Sequence, residues 1–120
     1  IGHPAGIVTS YLLGYEMFDC ALPTRDARHG RLYTWSKDHP DLDKDAKWLK
    51  FRYINTEVNF QDAGPISSDC DCECCQQYSM AYLFHLYRMR DSSYLRLATK
   101  HNLRFMTRLV ERLKELNVRN

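Results

Sequence analysis

The sequence predicts a mixed α/β chain with a cysteine-rich insert late in its length. Three observations carry this expectation: a short helical pattern runs into a compact apolar stretch at 15–22, three thiols (Cys70, Cys72 and Cys75) crowd into six residues, and the end of the chain reads as one long amphipathic helix. Helices alternating with buried strands give layered α/β folds, and a thiol cluster marks a local constraint on such a fold.

Gly2, His3 and Pro4 form a turn, and Pro4 suits the first helical position because its missing N–H would have no partner there. Ile7, Val8, Tyr11 and Leu12 recur at helical spacing before Gly14, a natural stop, so a helix is expected over 4–13. The next run holds Met17, Phe18, Cys20, Ala21 and Leu22 between Gly14 and Pro23 and reads as a buried strand over 15–22. Asp19 inside it is costly unless paired or facing a cavity. In parallel α/β architectures functional groups gather at the C-terminal ends of strands, which makes Asp19 a candidate active-site carboxylate. A cap on the following turn, or a pair with Arg25, explains it equally well at this point.

Residues 23–30 read as a polar loop with Arg25 and Arg28 three apart, and arginine's planar fork suits phosphate oxygens and base edges. A short strand is expected over 31–34, with Leu32 and Thr34 on one side and Tyr33 on the other. The alternating charges of 38–50 around Pro40 suggest an exposed insertion, and 49–60 alternates like a strand or hairpin. After the cysteines one continuous helix is expected over 76–90, with Tyr78, Tyr82 and His85 as an aromatic stripe. Met80, Leu83, Phe84 and Tyr87 supply core on another face, which leaves the stripe to core packing or to a partner protein. The closing helix, over 94–116, is expected to bury Leu103, Met106, Leu109, Val110, Leu113 and Leu116 and to display Arg104, Arg108 and Arg112 as a ridge.

Composition narrows the class. With 120 residues, 44% hydrophobic and 27% charged, the chain has the make-up of one soluble globular domain. No apolar run reaches the roughly eighteen residues of a membrane span. The net charge of +2 hides an uneven distribution, since from Arg88 onward nine basic residues face only Asp91, Glu111 and Glu115. Such a tail fits a polyanionic partner or a solvated helix face. Ile1 has no methionine before it, so a piece of a longer protein is expected.

The five cysteines are odd in number, Cys74 and Cys75 are adjacent, and no secretory signal opens the chain. A disulfide framework is therefore disfavoured, and a reduced, cytoplasmic setting is expected. Three soft thiolates and one imidazole instead make a closed tetrahedral shell suited to a structural zinc ion. The third thiolate is Cys74 or Cys75, and the wider gap after Cys72, which lets the chain turn around one ion, favours Cys75. His101 is the better fourth ligand, because a helix running from the cluster carries His85 about 15 Å from its start.

Taken together, the run from Gly14 to Gly30 (GYEMFDCALPTRDARHG), the Cys70-x-Cys72-x-x-Cys75 cluster and the segment from Leu97 to Leu103 (LATKHNL) resemble the C-terminal part of the queuine or preQ1 tRNA-guanine transglycosylases, also called queuine tRNA-ribosyltransferases. The resemblance covers nearly the whole chain. It implies the C-terminal portion of a (β/α)8 barrel with an inserted zinc-binding subdomain. Residues 1–34 would end the barrel with a loop, its seventh helix, its eighth strand and an RNA-contacting loop, and 35–68 would form a charged insertion with short strands. Residues 69–93 would be the zinc subdomain, and 94–120 the closing helix that bears the histidine ligand.

The family exchanges guanine at the anticodon wobble position of tRNA for a 7-deazaguanine base, so the resemblance implies a glycosyltransferase with tRNA and that base as partners. It makes Asp19 the nucleophile and places Thr24, Arg25, Asp26, Ala27 and Arg28 on a loop that reads the wobble nucleotide and its neighbours. Gly2, His3 and Pro4 fall on a second RNA-contacting loop, where Ala5 and Gly6 replace a frequent acidic pair. Cys70, Cys72, Cys75 and His101 match the ligands of one structural Zn²⁺. Tyr78, Tyr82 and His85 match an interface patch, which implies a homodimer or a heterodimer with a related subunit. The family's general acid/base aspartate and base pocket correspond to nothing in this chain, so the 120 residues alone are expected to be inactive. Two other readings are a noncatalytic zinc-containing partner subunit, opposed by Phe18-Asp19-Cys20 and Pro23-Thr24-Arg25, and a zinc-stabilised RNA-binding module that forms no covalent adduct.

Overall fold

A strand buried along nearly its whole length must be covered on both faces, and the fold is arranged around that need. The computed structural model describes residues 3–15, 17, 21–36, 42 and 47–119, with the backbone alone at 117–119. In chain order these form α1 (Pro4–Leu12), α2 (Leu22–Arg28), β1 (Arg31–Trp35), β2 (Leu49–Tyr53), a 3-10 turn (Glu57–Gln61), α3 (Glu73–Gln77), α4 (Met80–Arg88) and α5 (Ser92–Arg119). The chain is thus a mixed helix and strand structure. β1 pairs antiparallel with β2, Tyr33 opposite Phe51, and the ribbon is extended by Ile54 N–H donating to Gly30 O and Ser36 N–H to Trp48 O.

Period-two alternation then divides β1 between two cores. Leu32 enters one with Ala27, Ile54, Ile66, the cysteines, Met80, Leu83, Tyr94, Leu97 and Ala98. Tyr33 and Trp35 enter the other with Ile7, Val8, Trp48, Phe105, Leu109 and Leu113. Trp35 lies 4.5 Å from the Phe105 ring and 5.7 Å from Trp48, centroid to centroid. α5 serves both cores because its inward residues (94, 97, 98, then 105, 109, 113) keep one face from Tyr94 to Leu113. At 1.5 Å per residue it is about 42 Å long. It therefore sets the 46 Å longest dimension of the molecule.

Where α5 crosses β1 its inward positions are polar. Asn102 is fully buried; its Oδ1 accepts from Tyr33 N–H at 3.1 Å, and its Nδ2 donates to Pro23 O at 3.1 Å and Arg31 O at 3.0 Å. Beside it His101 Nε2 lies 2.7 Å from Tyr33 O. Two side chains thus supply the partners that a third strand would have given β1.

Several expectations need correction. Residues 23–30 are not a loop: Leu22–Arg28 is helical, with Pro23 fixing φ in the first turn and Pro23, Asp26 and Ala27 buried at i, i+3 and i+4. Of the strand expected over 15–22, Tyr15 and Met17 are exposed and unpaired with any strand, Leu22 is helical, and Glu16, Phe18, Asp19 and Cys20 lie outside the described residues. The helix expected over 76–90 is two. It breaks at Tyr78 and Ser79 because the α4 N-terminus has its own partners, Ser79 Oγ for Tyr82 N–H, Gly64 O for Met80 N–H and Asp62 O for Ala81 N–H. Leu42 and Trp48, in the stretch read as an exposed insertion, are core. Leu103 is 47% exposed, since the inward face at this turn passes through His101 and Asn102.

Replacing Asn102 with Ala strands one backbone N–H and two carbonyls beside a metal ligand, a cost of about 3 kcal/mol. Asn102→Asp should lose at least as much, because its oxygens would face two carbonyls. Urea unfolding of the metal-loaded protein measures both; a loss under about 1 kcal/mol would show that the crossing does not need this side chain.

Candidate metal centre

The cluster is assembled by three local devices. Arg52 on β2 donates to Pro65 O and Ile66 O at 3.1 and 2.9 Å and to Asp62 at 2.7 Å, which pins the approach to Cys70 and holds the Asp62 carboxyl below its ordinary range. The chain then turns so that Cys72 N–H points at Cys70 Sγ (3.5 Å) and Cys75 N–H at Cys72 Sγ (3.4 Å). Cys72 is also the N-cap of α3, so the thiolate that faces the ion accepts a helix donor. Gln76 Nε2 closes the turn on Cys70 O at 2.8 Å.

His101 arrives from α5. Its Nδ1 stands 3.7, 3.6 and 3.3 Å from the sulfurs of Cys70, Cys72 and Cys75. All four ligand atoms lie within 4.8 Å of one another, and every one of the four residues is buried. A tetrahedral ion with bonds of ~2.3 Å to sulfur and ~2.0–2.1 Å to nitrogen has S···N edges of about 3.5–3.6 Å. The observed separations bracket that value. With Nε2–H donating to Tyr33 O, Nδ1 keeps its lone pair for the ion, the second partner a metal-bound imidazole ordinarily has. The four residues can therefore hold one metal ion.

Proton chemistry agrees. Hydrogen bonds from the Cys70 and Cys75 thiols hold Cys72 down to about 3, while the same contacts push Cys75 up. A divalent cation at such a cluster is what allows neighbouring thiols to ionise together. Cys74 faces away into the core and is pushed up to about 12 by burial, so it is inert. Among the described residues, the structure selects Cys75 over Cys74 and His101 over the exposed His85.

The acidic residues beside the cysteines pair with cations of α5. Asp71 pairs with Arg104 at 2.6 Å, Glu73 with Lys100 at 2.8 Å and Arg96 at 3.2 Å, and Asp69 with Arg108 at 3.5 Å. Arg104 holds the Asp71 carboxyl below the usual range, and Lys100 with Arg96 does so for Glu73. Arg112 lies over Trp35, 4.8 Å from its ring centre. The ridge, for which the sequence left a polyanionic partner or a solvated helix face open, is engaged within the chain.

A family model described as Queuine tRNA-ribosyltransferase matches residues 1–116. This chain belongs to that family. Curated relatives named queuine tRNA-ribosyltransferase include proteins of Psychrobacter sp. (strain PRwf-1), 36% identical over 116 residues, and of Dictyoglomus turgidum, 38% identical over 115. Another, from Lysinibacillus sphaericus, is 37% identical over 115 residues. Each alignment takes in 96% of this chain but only 26–28% of the relative, so the chain spans about a quarter of a queuine tRNA-ribosyltransferase of this kind.

The other residues singled out from sequence are placed as follows. Asp19 and Gly2 lie outside the described residues. His3 caps α1, its Nδ1 accepting from Ala5 N–H, and Pro4 is buried. On α2, Thr24, Arg25 and Arg28 are exposed, whereas Ala27 is buried and Asp26 accepts from the Tyr33 hydroxyl and lies 3.9 Å from Arg31. Tyr78 and Tyr82 stack with centroids 5.3 Å apart, Tyr82 being 43% exposed, and His85 is exposed beyond them. Sequence reading missed Tyr33 and Asn102. The signal was present for Asn102, which sits in phase with Ala98, Phe105 and Leu109 on an otherwise apolar face.

Cys75→Ala or His101→Ala should abolish stoichiometric metal and, since such ions contribute on the order of 10 kcal/mol, leave the region around α3 unfolded. Cys74→Ala should keep the ion at a cost of about 1–2 kcal/mol. Metal analysis with thermal melts decides. As pH falls, protons compete for the thiolates. Asp62, Asp71 and Glu73 have folded values below their unfolded ones, so their contribution is complete above the ordinary carboxylate range and is lost as pH drops through the folded values. Metal release and unfolding should therefore coincide on acidification. Metal retained through acid unfolding would contradict this assignment.

Proposed function

We propose that this chain is the nucleophile-bearing C-terminal part of a tRNA-guanine transglycosylase, which exchanges guanine at the anticodon wobble position for a 7-deazaguanine base, preQ1 or queuine. The observation that carries the reading is the family match over residues 1–116, within which Asp19 stands three residues before the helix that bears Arg25 and Arg28. In this reading the Asp19 carboxylate attacks C1′ of the wobble ribose, the C1′–N9 bond breaks, and guanine leaves with the bonding pair and a proton from an acid elsewhere in the protein. The incoming base then displaces the carboxylate from C1′ and gives up its N9 proton. Two displacements, each of oxocarbenium character, retain the β-configuration.

Thr24, Arg25 and Arg28 contact the splayed anticodon. Asp26 and Ala27 serve the same loop from inside: Asp26 is bonded to Tyr33, and the Ala27 carbonyl accepts from the Tyr94 hydroxyl at 2.8 Å. Gly2, His3 and Pro4 border the same RNA. We assign the Cys₃His shell to one structural Zn²⁺; with four protein ligands it has no open position for chemistry. Residues 1–34 would then close a (β/α)8 barrel in the cytoplasmic enzyme, with 35–68 as an insertion, 69–93 as the zinc subdomain and 94–120 as the closing helix. The stacked, partly exposed Tyr78 and Tyr82, with His85, suit a subunit contact in a homodimer or with a related chain. No described helix is long and apolar enough to cross a membrane. The 120 residues alone lack an acid/base partner and base pocket and are inactive in this reading; turnover by the isolated chain would refute that.

The deciding experiment is covalent trapping. The full-length parent, incubated with an anticodon stem-loop carrying a wobble guanine, should give a denaturation-resistant protein–RNA band that Asp19→Asn abolishes while RNA binding survives. Binding without any adduct, under conditions that support exchange in a known transglycosylase, would turn the reading into that of a noncatalytic subunit.

A further inference from the structure

α2 ends beside a cleft of about 560 Å³ formed with the α4–α5 turn, whose lining includes Arg28, Asn55, Arg88, Arg90, Asp91 and Ser92. Three guanidinium groups here face one carboxylate. That carboxylate is engaged, since Asp91 Oδ1 accepts from Ser93 N–H at 2.8 Å and so caps α5. Arg88 pairs with Glu57 and lies 5.0 Å above the Phe84 ring. Arg28 and Arg90 are exposed and have no acidic partner among the described residues, unlike the basic residues of α5 that face the cysteine loop.

Arg90 is unusual in a second respect. It is the one described non-glycine residue with positive φ, at 57°. That conformation suits glycine or asparagine, and an arginine there sets a long cation on a turn that a smaller residue would make more readily. The cleft is also continuous with the outer face of α2 through Arg28, one helical turn beyond Arg25. A strand of RNA lying along Thr24, Arg25 and Arg28 would be led toward it.

We propose that this cleft binds a backbone phosphate of the RNA flanking the wobble nucleotide, with Arg28 and Arg90 supplying the charge and Asn55 and Ser92 neutral donors. The inference rests on the tRNA reading above and extends it to a sequence-independent contact. Phosphate contacts fix register without reading bases, and each one adds a defined increment of salt dependence.

The test uses the full-length parent and the wobble-guanine stem-loop, with binding measured by anisotropy between about 50 and 200 mM salt. Arg90→Gly is the chosen variant because glycine adopts this φ freely, so folding and metal content should be unchanged. It should bind roughly 3–10-fold more weakly at low salt, with the slope of log K against log salt shallower by about 0.7–0.9. The loss should be equal on a stem-loop whose wobble base is changed, and Arg90→Lys should restore most of it. Wild-type affinity and slope in Arg90→Gly, beside weakened binding in Arg25→Ala, would overturn the cleft proposal and leave the tRNA reading standing. If the wild-type parent itself fails to bind the stem-loop, both fall.

Discussion

The imidazole of His101 is the joint on which the rest of the structure depends. One nitrogen faces three sulfurs at 3.3–3.7 Å and the other meets the Tyr33 carbonyl at 2.7 Å. The carbonyl fixes which nitrogen carries the proton, and so which one is free to ligate. A single ring thereby ties the cysteine loop, the buried strand and the long helix, which are remote in sequence. Asn102 next to it repeats the arrangement with backbone groups of α2 and β1. The helix that carries the exposed Arg25 and Arg28 is thus held by the same turn of α5 that completes the metal shell.

Electrostatics follow the same plan. Three thiolates around a divalent ion would leave a net negative shell, and the neighbouring Asp69, Asp71 and Glu73 would add to it. The cations of α5 that face this loop offset that charge through exposed pairs. Such pairs are individually weak, so their role is to complement the field of the centre more than to supply stability. The uneven charge noticed in the sequence therefore has an internal explanation for Arg96, Lys100, Arg104 and Arg108, and none among the described residues for Arg90.

Much of this was legible before the structure. The cysteine and histidine spacing pointed to the shell, although the continuous helix used to set His85 aside is in fact two, and periodicity placed the helix from Pro4, the strand from Arg31 and the closing helix. What stayed hidden depends on partners distant in sequence. The break at Ser79 needs carbonyls of Asp62 and Gly64; the burial of Leu42 and Trp48 needs the aromatic core around Trp35; and a seven-residue helix at 22–28 is too short and polar to announce itself by pattern. The family resemblance placed Asp26 and Ala27 on an RNA-contacting loop; in the structure both are buried residues of α2.

The side chains that seal the outer edge of β1 carry a further consequence. A strand edge with open N–H and C=O groups is a template for pairing with another chain, and here the template is hidden by an imidazole and an amide. The seal holds only while α5 stays docked, and an ion held by His101 and the three cysteines would help to dock it. Withdrawal of the metal would uncover a short, apolar strand of Leu32, Tyr33 and Trp35 ready to recruit its like.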